Sequence, residues 1–590
     1  MQQLDAVTLK ALAAELQTLL GNAKVSKVQH PSPHEFLITF WGGPLRSDNL
    51  NLFYIQLNPE APFCVLTQPK HRQETVLHTF AKPTALCMLL RKHLQGASLI
   101  QVRTQPGERV IDLVFENFNE LGNQVRLVLS LELMGKHSNM IFYDELQGAI
   151  LAVAHGVSET MSSHRELAAG LPYAPPPKPA GKRLLSEITS AEFKALLAQK
   201  PAEESTPHFL NAHLAGFGLR MLEDALTLSD GEPLALYRQL DALEDGAALA
   251  PAIAPNGQRF GLLKRVPALE GGLRFESVNA LVGAYFIGHL NASRIGRKSE
   301  QLLLKLDQHE KKRLRREKEL VPITDAEIER LQATGDRLLS AFSAKEVPAQ
   351  PLSGKGTVAL THYEDGSAWV IEIDAAHSWV ENAQLYYRRA KKAKARKDAY
   401  QQMAEALNAE GDYLASLKQL VTQAETLADL DALEVDMAAA GFAKKAPKLL
   451  EGKKKKAGEP EAKELSGVSR LRSSDGLEIL LGKSGQGNDA IVGKLSRSDD
   501  WWLHVHQMPG SHVLIRAGKE PVPDQTLLEA ASLAVYYSSA RSSLNVPVVY
   551  TQCKHVRKIP QSYPGHVNYR EEQTVFISPD AALIEKLMGG

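Results

Sequence analysis

The sequence predicts a multidomain α+β protein, and three observations carry that reading. At 590 residues the chain is too long for one hydrophobic core, because single domains run to about 150 residues. Apolar residues recur at the helical period in some blocks and alternate in others, and Pro-, Gly- and Lys-rich stretches separate the blocks. A hydrophobic fraction of 44% with 23% charged residues is ordinary for packed globular protein.

Residues 1–178 read as an α/β domain. It opens with an amphipathic helix carrying Leu9, Leu12, Leu16, Leu19 and Leu20 on one stripe. Strands follow at "EFLITFW" (35–41) and "LNLFYIQL" (50–57), then a helix "TALCMLLRKHL" (84–94) and strands at 109–115 and 125–133. The Pro-rich "PYAPPPKPAGK" (172–182) is a stiff boundary. Residues 179–270 read as helical and include "LAGFGLRMLEDAL" (214–226). Its Gly-x-Gly turn entering a helix has two readings: a helix–hairpin–helix turn whose amides meet a phosphate, or an ordinary turn with a glycine cap.

Residues 271–440 read as a projecting arm. "DQHEKKRLRREKE" (307–319) has one apolar residue, Leu314, too few to bury a wide face, and Pro322 ends or kinks that helix. An insert at about 350–380 carries Asp365-Gly366 between alternating runs, a hairpin signal. The chain then returns as a helix over about 383–435, with Leu407, Leu414, Leu417 and Leu420 on a narrow seam, which predicts a long antiparallel coiled coil with a small β insert. Residues 441–465, with "KKKK" at 453–456, read as a basic flexible linker. Residues 466–590 read as a second α/β domain, with strands at 477–481, 501–506, 511–516, 546–551 and 574–577, and a helix that Pro523-Asp524 starts and that continues through 527–543.

Net charge is zero, yet "RRAKKAKARK" (388–397) holds seven basic residues and no acid. Cys64, Cys87 and Cys553 are scattered, which excludes a disulfide framework and a thiolate zinc site. The start, "MQQLDAVTLK", lacks a signal-peptide pattern, and no run approaches the ~18 apolar residues of a membrane span. A soluble, cytoplasmic protein without membrane contact is expected.

"WWLHVHQMPGSHVLIR" (501–516) holds three histidines. Strand periodicity puts His504 and His506 on one face with Trp502, and Leu503 with Val505 on the other. No acidic residue lies between Trp501 and Arg516 to complete a metal shell, so no metal or other cofactor is expected. "GKSGQGND" (482–489) lacks the spacing of a phosphate-binding nucleotide loop, and no GxSxG or HExxH occurs, so no catalytic residue is assigned. What remains is a packed strand beside cations: His504, His512, Arg516, Lys554, Arg557 and Lys558 are candidate RNA contacts, through phosphates and ring stacking.

Together, "DDWWLHVHQMPGSHVLIR" (499–516), "QGND" (486–489), "VVYTQCKHVRKIP" with "PGHV" (548–567), "CMLLRKHLQGA" (87–97), "ELMGKHSNMIFYD" (132–144) and "ENAQLYYRRAKKAK" (381–394) resemble the NFACT family in matching order across nearly the whole chain. The resemblance implies ribosome-associated quality control. Bacterial members bind large ribosomal subunits obstructed with peptidyl-tRNA, contact rRNA, and recruit alanyl-tRNA for mRNA-independent alanine tailing of stalled chains. The ribosome's own peptidyl-transferase centre makes the bonds, so the protein is expected not to be an enzyme.

It also implies an N-terminal fold like that of formamidopyrimidine-DNA glycosylase, although this sequence has no proline in its opening residues to serve as that enzyme's nucleophile. An Asp-Arg pair of the family, implicated in tRNA contact, matches Glu108-Arg109, where the extra methylene moves the carboxylate by roughly an ångström. Glu132, Leu133 and Met134 match intact, and core packing at a strand end is the other reading of Leu133 and Met134. The alternative function, a fibronectin-binding surface adhesin, follows an older label for the family and requires export.

Overall fold

The structure, a computed structural model, describes residues 1–44, 51–67, 83–119, 121–158, 165–177, 181–247, 249–347, 355–362, 366–443, 467–560 and 562–588. The lysine run 453–456 of the expected linker and Asp365 of the expected hairpin turn lie outside the described residues. The chain forms two compact units, Met1–Arg294 and Ile295–Gly590.

The first unit is built on a nine-stranded antiparallel sheet: β1 (Lys24–Ser32), β2 (Glu35–Trp41), β3 (Leu52–Gln56), β4 (Phe63–Thr67), β5 (Ser98–Thr104), β6 (Val110–Phe118), β7 (Gln124–Glu132), β8 (Asn139–Asp144) and β9 (Ile150–Val153). Their order is β4-β3-β2-β1-β5-β6-β7-β8-β9, two meanders meeting at β1 and β5. The opening helix, Ala6–Leu20, starts where Asp5 accepts a hydrogen bond from the Thr8 amide at 2.8 Å, satisfying a donor the helix leaves open. Leu9, Leu12, Leu16 and Leu20 of that helix join the core cluster shared with the sheet. Burying each contributes about 1.5–3 kcal/mol.

Four helices follow, Ser190–Ala198, Thr206–His213, Leu219–Leu228 and Pro233–Glu244. The helical reading of 179–270 fails at its end, where a small sheet pairs Ala252-Ile253 with Phe260-Gly261 and Leu273-Arg274. The cause is legible: Gly257, after Asn256, takes φ +68°, a turn conformation that Asn-Gly sequences adopt cheaply.

Helix Gly288–Glu319 starts in the first unit and runs into the second. Helix Trp379–Gln423 spans 45 residues, about 68 Å at the helical rise. Its partners step down as theirs step up, so it lies antiparallel to the helices Gly288–Glu319 and Asp325–Ser343. Ser299 bonds the Val421 carbonyl and Arg316 pairs with Glu410, while Asp325 pairs with Lys397 and Asp336 accepts from Tyr387. The Lys355–Thr361 and Ala368–Asp374 strands pair as a hairpin and pack Leu360 and Ile371 against Leu338, Trp379 and Tyr386. The returning helix ends at Gln423, short of the expected 435, because Thr426 and Asp429 form a capping box that starts a separate helix, Leu427–Ala439.

The C-terminal part of the second unit has a six-stranded sheet, in spatial order Val468–Arg472, Glu478–Gly482, Val513–Ile515, Trp501–Val505, Val546–Gln552 and Gln573–Ile577. Helix Asp524–Tyr536 packs Ala530, Leu533 and Ala534 against Leu503, Val505, Val513 and Ile515. It stops before the expected 543 because the Ser538 hydroxyl bonds the Val535 carbonyl and the Ala540 amide, replacing helical partners. Among the described residues no helix is long and apolar enough to cross a membrane.

Candidate nucleic-acid interface

Two sequence signals separated by about a hundred residues meet in one cleft of the first unit. The cleft holds about 900 Å3 and is lined by Gln3, Asp5, Glu108, Arg109, Met134 and the Gly216–Gly218 turn, among others. The turn is shaped by close approach. The Gly216 carbonyl accepts the Ala6 and Val7 amides at 3.1 and 3.3 Å, and Gly216 itself sits at φ +92°. The Gly218 amide, at the start of helix Leu219–Leu228, donates to Asp5 Oδ2 at 3.3 Å. A Cβ on Gly218 would lie 2.7 Å from that oxygen, so glycine is required. The turn amide is therefore met by a protein carboxylate, and the phosphate reading of this Gly-x-Gly gives way to the structural one. Burial pushes the Asp5 carboxyl up, while bonds from Thr8 and Gly218 and the charge of Arg109 pull it back.

Arg109 stands at the mouth of β6, and its Nη1 donates to Gln3 Oε1 at 2.9 Å. Burial lowers its pKa, and the negative charges of Asp5 and Glu108 oppose that. Glu108 and Met134 line the same cleft, so three of the five predicted tRNA contacts converge. The other two do not. Glu132 and Leu133 are buried, at 0% and 1% exposure. Glu132 pairs with Arg165 and neighbours the Tyr173 hydroxyl, and the Leu133 amide donates to the Arg109 carbonyl at 2.8 Å. Leu133 packs in the main core and Glu132 is tied to Arg165 and Tyr173, so neither lines the cleft, and for Leu133 the core-packing reading is the one the geometry gives.

In the C-terminal domain the predicted residues also divide. Lys554, Arg557 and Lys558 are exposed, and Lys558 pairs with Asp489. Arg516 is half-buried, bonding the Leu495 carbonyl at 3.1 Å and lying 3.4 Å from Glu478. His512 is buried and cannot present its ring to an RNA without unfolding its surroundings; His504 is partly buried. Trp502, His504 and His512 pack ring to ring, with centroids 5.2–5.8 Å apart. Among the described residues no three His, Cys, Asp or Glu side chains gather as a metal shell would require. Within "GKSGQGND" a short helix, Gly485–Ala490, begins, and its Gly485 amide donates to Asp436 at 2.6 Å; burial raises that carboxyl to about 6.

Burial holds both imidazoles below their ordinary 6.5, His512 well below, where the charge of His504 adds to the effect. The unfolded chain takes up protons near pH 6.5 that the folded domain refuses. Stability is thus complete above that pH and is lost as pH falls from there through the folded values, by up to about 1.4 kcal/mol per pH unit per histidine. Melting curves from pH 7.5 to 5 should show the C-terminal transition falling, and His512→Gln should flatten the dependence. A flat wild-type profile would contradict the buried, neutral assignment.

The family model "NFACT N-terminal and middle domains" matches residues 5–457. The chain belongs to the NFACT family. A second model, "NFACT protein RNA binding domain", matches residues 468–571 of this NFACT protein. Curated relatives named "Rqc2 homolog RqcH" are 27% identical in Streptococcus suis, 25% in Bacillus subtilis and 26% in Streptococcus pneumoniae D39, each covering 99% of both chains. A solved N-terminal structure of a Streptococcus suis fibronectin/fibrinogen-binding protein is 23% identical, covers 48% of this chain and 98% of its own, and has a TM-score of 0.41. A likeness that weak carries no functional argument.

Three further cations of the NFACT surfaces are not among the residues the sequence marked as contacts. Lys182 and Arg220, from the helical segment, line the same cleft as Arg109. Arg497 is exposed next to Ser498, whose carbonyl accepts the Lys554 amide at 3.2 Å, so a further cation stands beside the predicted basic loop.

Proposed function

We propose that this NFACT protein works in ribosome-associated quality control in the cytoplasm. It binds large ribosomal subunits obstructed with peptidyl-tRNA, through rRNA contacts, and recruits alanyl-tRNA for C-terminal alanine tailing. The observation that carries the reading is the convergence of Glu108 and Arg109, matched to the family's tRNA-contacting pair, with Met134 of a second matched segment, in one cleft large enough for a nucleotide of structured RNA. The protein itself makes no bond. It contributes proximity and orientation, and the ribosome supplies the chemistry.

On this reading the parts divide the labour. A glycosylase-like domain (1–178) and a helical domain (179–270) hold the tRNA. A coiled-coil arm (271–440) reaches along the subunit, a linker (441–465) follows, and the domain at 466–590 grips RNA through Lys554, Arg557 and Lys558, with Arg497 beside them. His504, His512 and Arg516 support that surface from behind.

Phosphate contacts make the association steeply salt-dependent. Each contributes about −0.7 to the log–log slope on single-stranded RNA, so about seven contacts give a slope near −5. Co-sedimentation with large subunits at two salt concentrations tests this, and association that ignores salt, or none at all, counts against it. The adhesin alternative predicts surface exposure on intact cells in place of co-migration with ribosomes.

A further inference from the structure

The opening segment of the chain is pinned in place. The Gln2 amide donates to the Tyr285 hydroxyl at 2.9 Å, and the Gln2 side-chain oxygen accepts the Phe260 amide at 3.1 Å. Three residues later Asp5 caps one helix and meets the first amide of another. Gln3 is fixed between these anchors, exposed, with its side chain on the cleft wall. Its Oε1 accepts from Arg109 Nη1 at 2.9 Å. Its Nε2 lies against the turn after Met134, where a Cβ built on Gly135 would stand 3.5 Å away. Gln3 thus stands beside both segments that carry the tRNA assignment, bonded to Arg109 of the first and close to Gly135 of the second.

The chemistry of the bridge matters. A guanidinium has five donors in a fixed fork, and an amide oxygen satisfies one of them without cancelling the charge. A carboxylate in the same place would form a charge-assisted pair and leave the cation neutralised. Asp5 and Glu108 already bring negative charge close to Arg109, so a neutral partner leaves the remaining attraction for an incoming anion. Loose, the side chain would pay rotamer entropy on meeting a phosphate; held by Gln3, it has less to lose.

We propose that Gln3 is a positioning residue that holds the Arg109 guanidinium, still charged, for an RNA phosphate. This rests on the tRNA reading of the cleft.

The test is a double-mutant cycle on the full-length chain, reading anisotropy of a labelled alanine-tRNA transcript at about 50 and about 200 mM salt. Gln3→Ala should bind about fivefold more weakly, and Gln3→Glu about tenfold or more, because its carboxylate competes with the phosphate. In an Arg109→Ala background neither change should alter affinity by more than about twofold. Gln3→Glu should melt no lower than the wild type, since a new ion pair at an exposed position does little to stability.

The opposite order, with Gln3→Glu binding as well as the wild type, overturns the proposal. So do equal losses in both backgrounds, which would mark a merely structural role. If Gln3→Glu folds poorly, the alanine arm of the cycle decides alone. Wild-type protein that binds no tRNA removes the reading beneath the proposal. Wild-type protein that binds while the Gln3 variants match it removes only the role of Gln3.

Discussion

Arg109→Ala is expected to weaken tRNA binding by about ten- to a hundredfold while the first unit keeps its fold. A charge-assisted hydrogen bond to phosphate contributes about 1.5–3 kcal/mol, which sets that range. The side chain lies at the cleft wall, and its one described side-chain hydrogen bond is to exposed Gln3, so its removal opens no cavity in the core. The backbone bond from the Leu133 amide to the residue 109 carbonyl survives the substitution. Because the basic surface of the C-terminal domain is untouched, association with large subunits should persist. Fluorescence anisotropy with tRNA and co-sedimentation with subunits, run on the same preparation, separate the two. Unchanged tRNA affinity would reject the assignment of this arginine.

Glu132→Ala is expected to act through stability instead, by about 3–5 kcal/mol, the effect of breaking a buried ion pair and leaving one partner uncompensated. Glu132 is fully buried at the end of β7, paired in register with Val110 of β6 and with the Arg165 guanidinium, which also bonds the Ala174 carbonyl at 2.9 Å. Burial pushes its carboxyl up and Arg165 pulls it back, as expected of a charge kept only by its partner. Replacing both members together, Glu132→Leu with Arg165→Met, should recover much of the loss, since a well-packed apolar pair often matches a buried ionic one. Denaturant titration measures all three proteins. If Glu132→Ala leaves the midpoint of the first unit unmoved while tRNA binding collapses, Glu132 touches the RNA and the structural role assigned to it is wrong.

The contrast between these residues shows what the sequence could and could not reveal. The strands around Arg109 and Glu132 were legible from alternation, and the motif placed both near a tRNA. Alternation does not say whether a face looks at solvent or at another layer. Trp502 and His512 illustrate this, because both faces of their sheet are covered, one by the Asp524–Tyr536 helix and the other by Val556, Val567 and Tyr569 of a separate two-stranded sheet.

The cleft itself was half legible. Glu108-Arg109 and the Gly216–Gly218 turn were each marked, but their meeting depends on Asp5 reaching Gly218 across 213 positions of chain, and no local pattern encodes that. Other departures have local signals in the sequence, namely the Asn256-Gly257 turn and the Thr426–Asp429 capping box.

On the proposed function, cationic surfaces on separate modules grip structured RNA while the ribosome makes the bonds. Sequencing the RNA that co-purifies with the full-length protein tests it most directly. Large-subunit rRNA together with an enriched alanine tRNA is the expected recovery, and from Arg109→Ala the same rRNA with the tRNA gone. Recovery of neither RNA above a mock purification in low-salt buffer would contradict it.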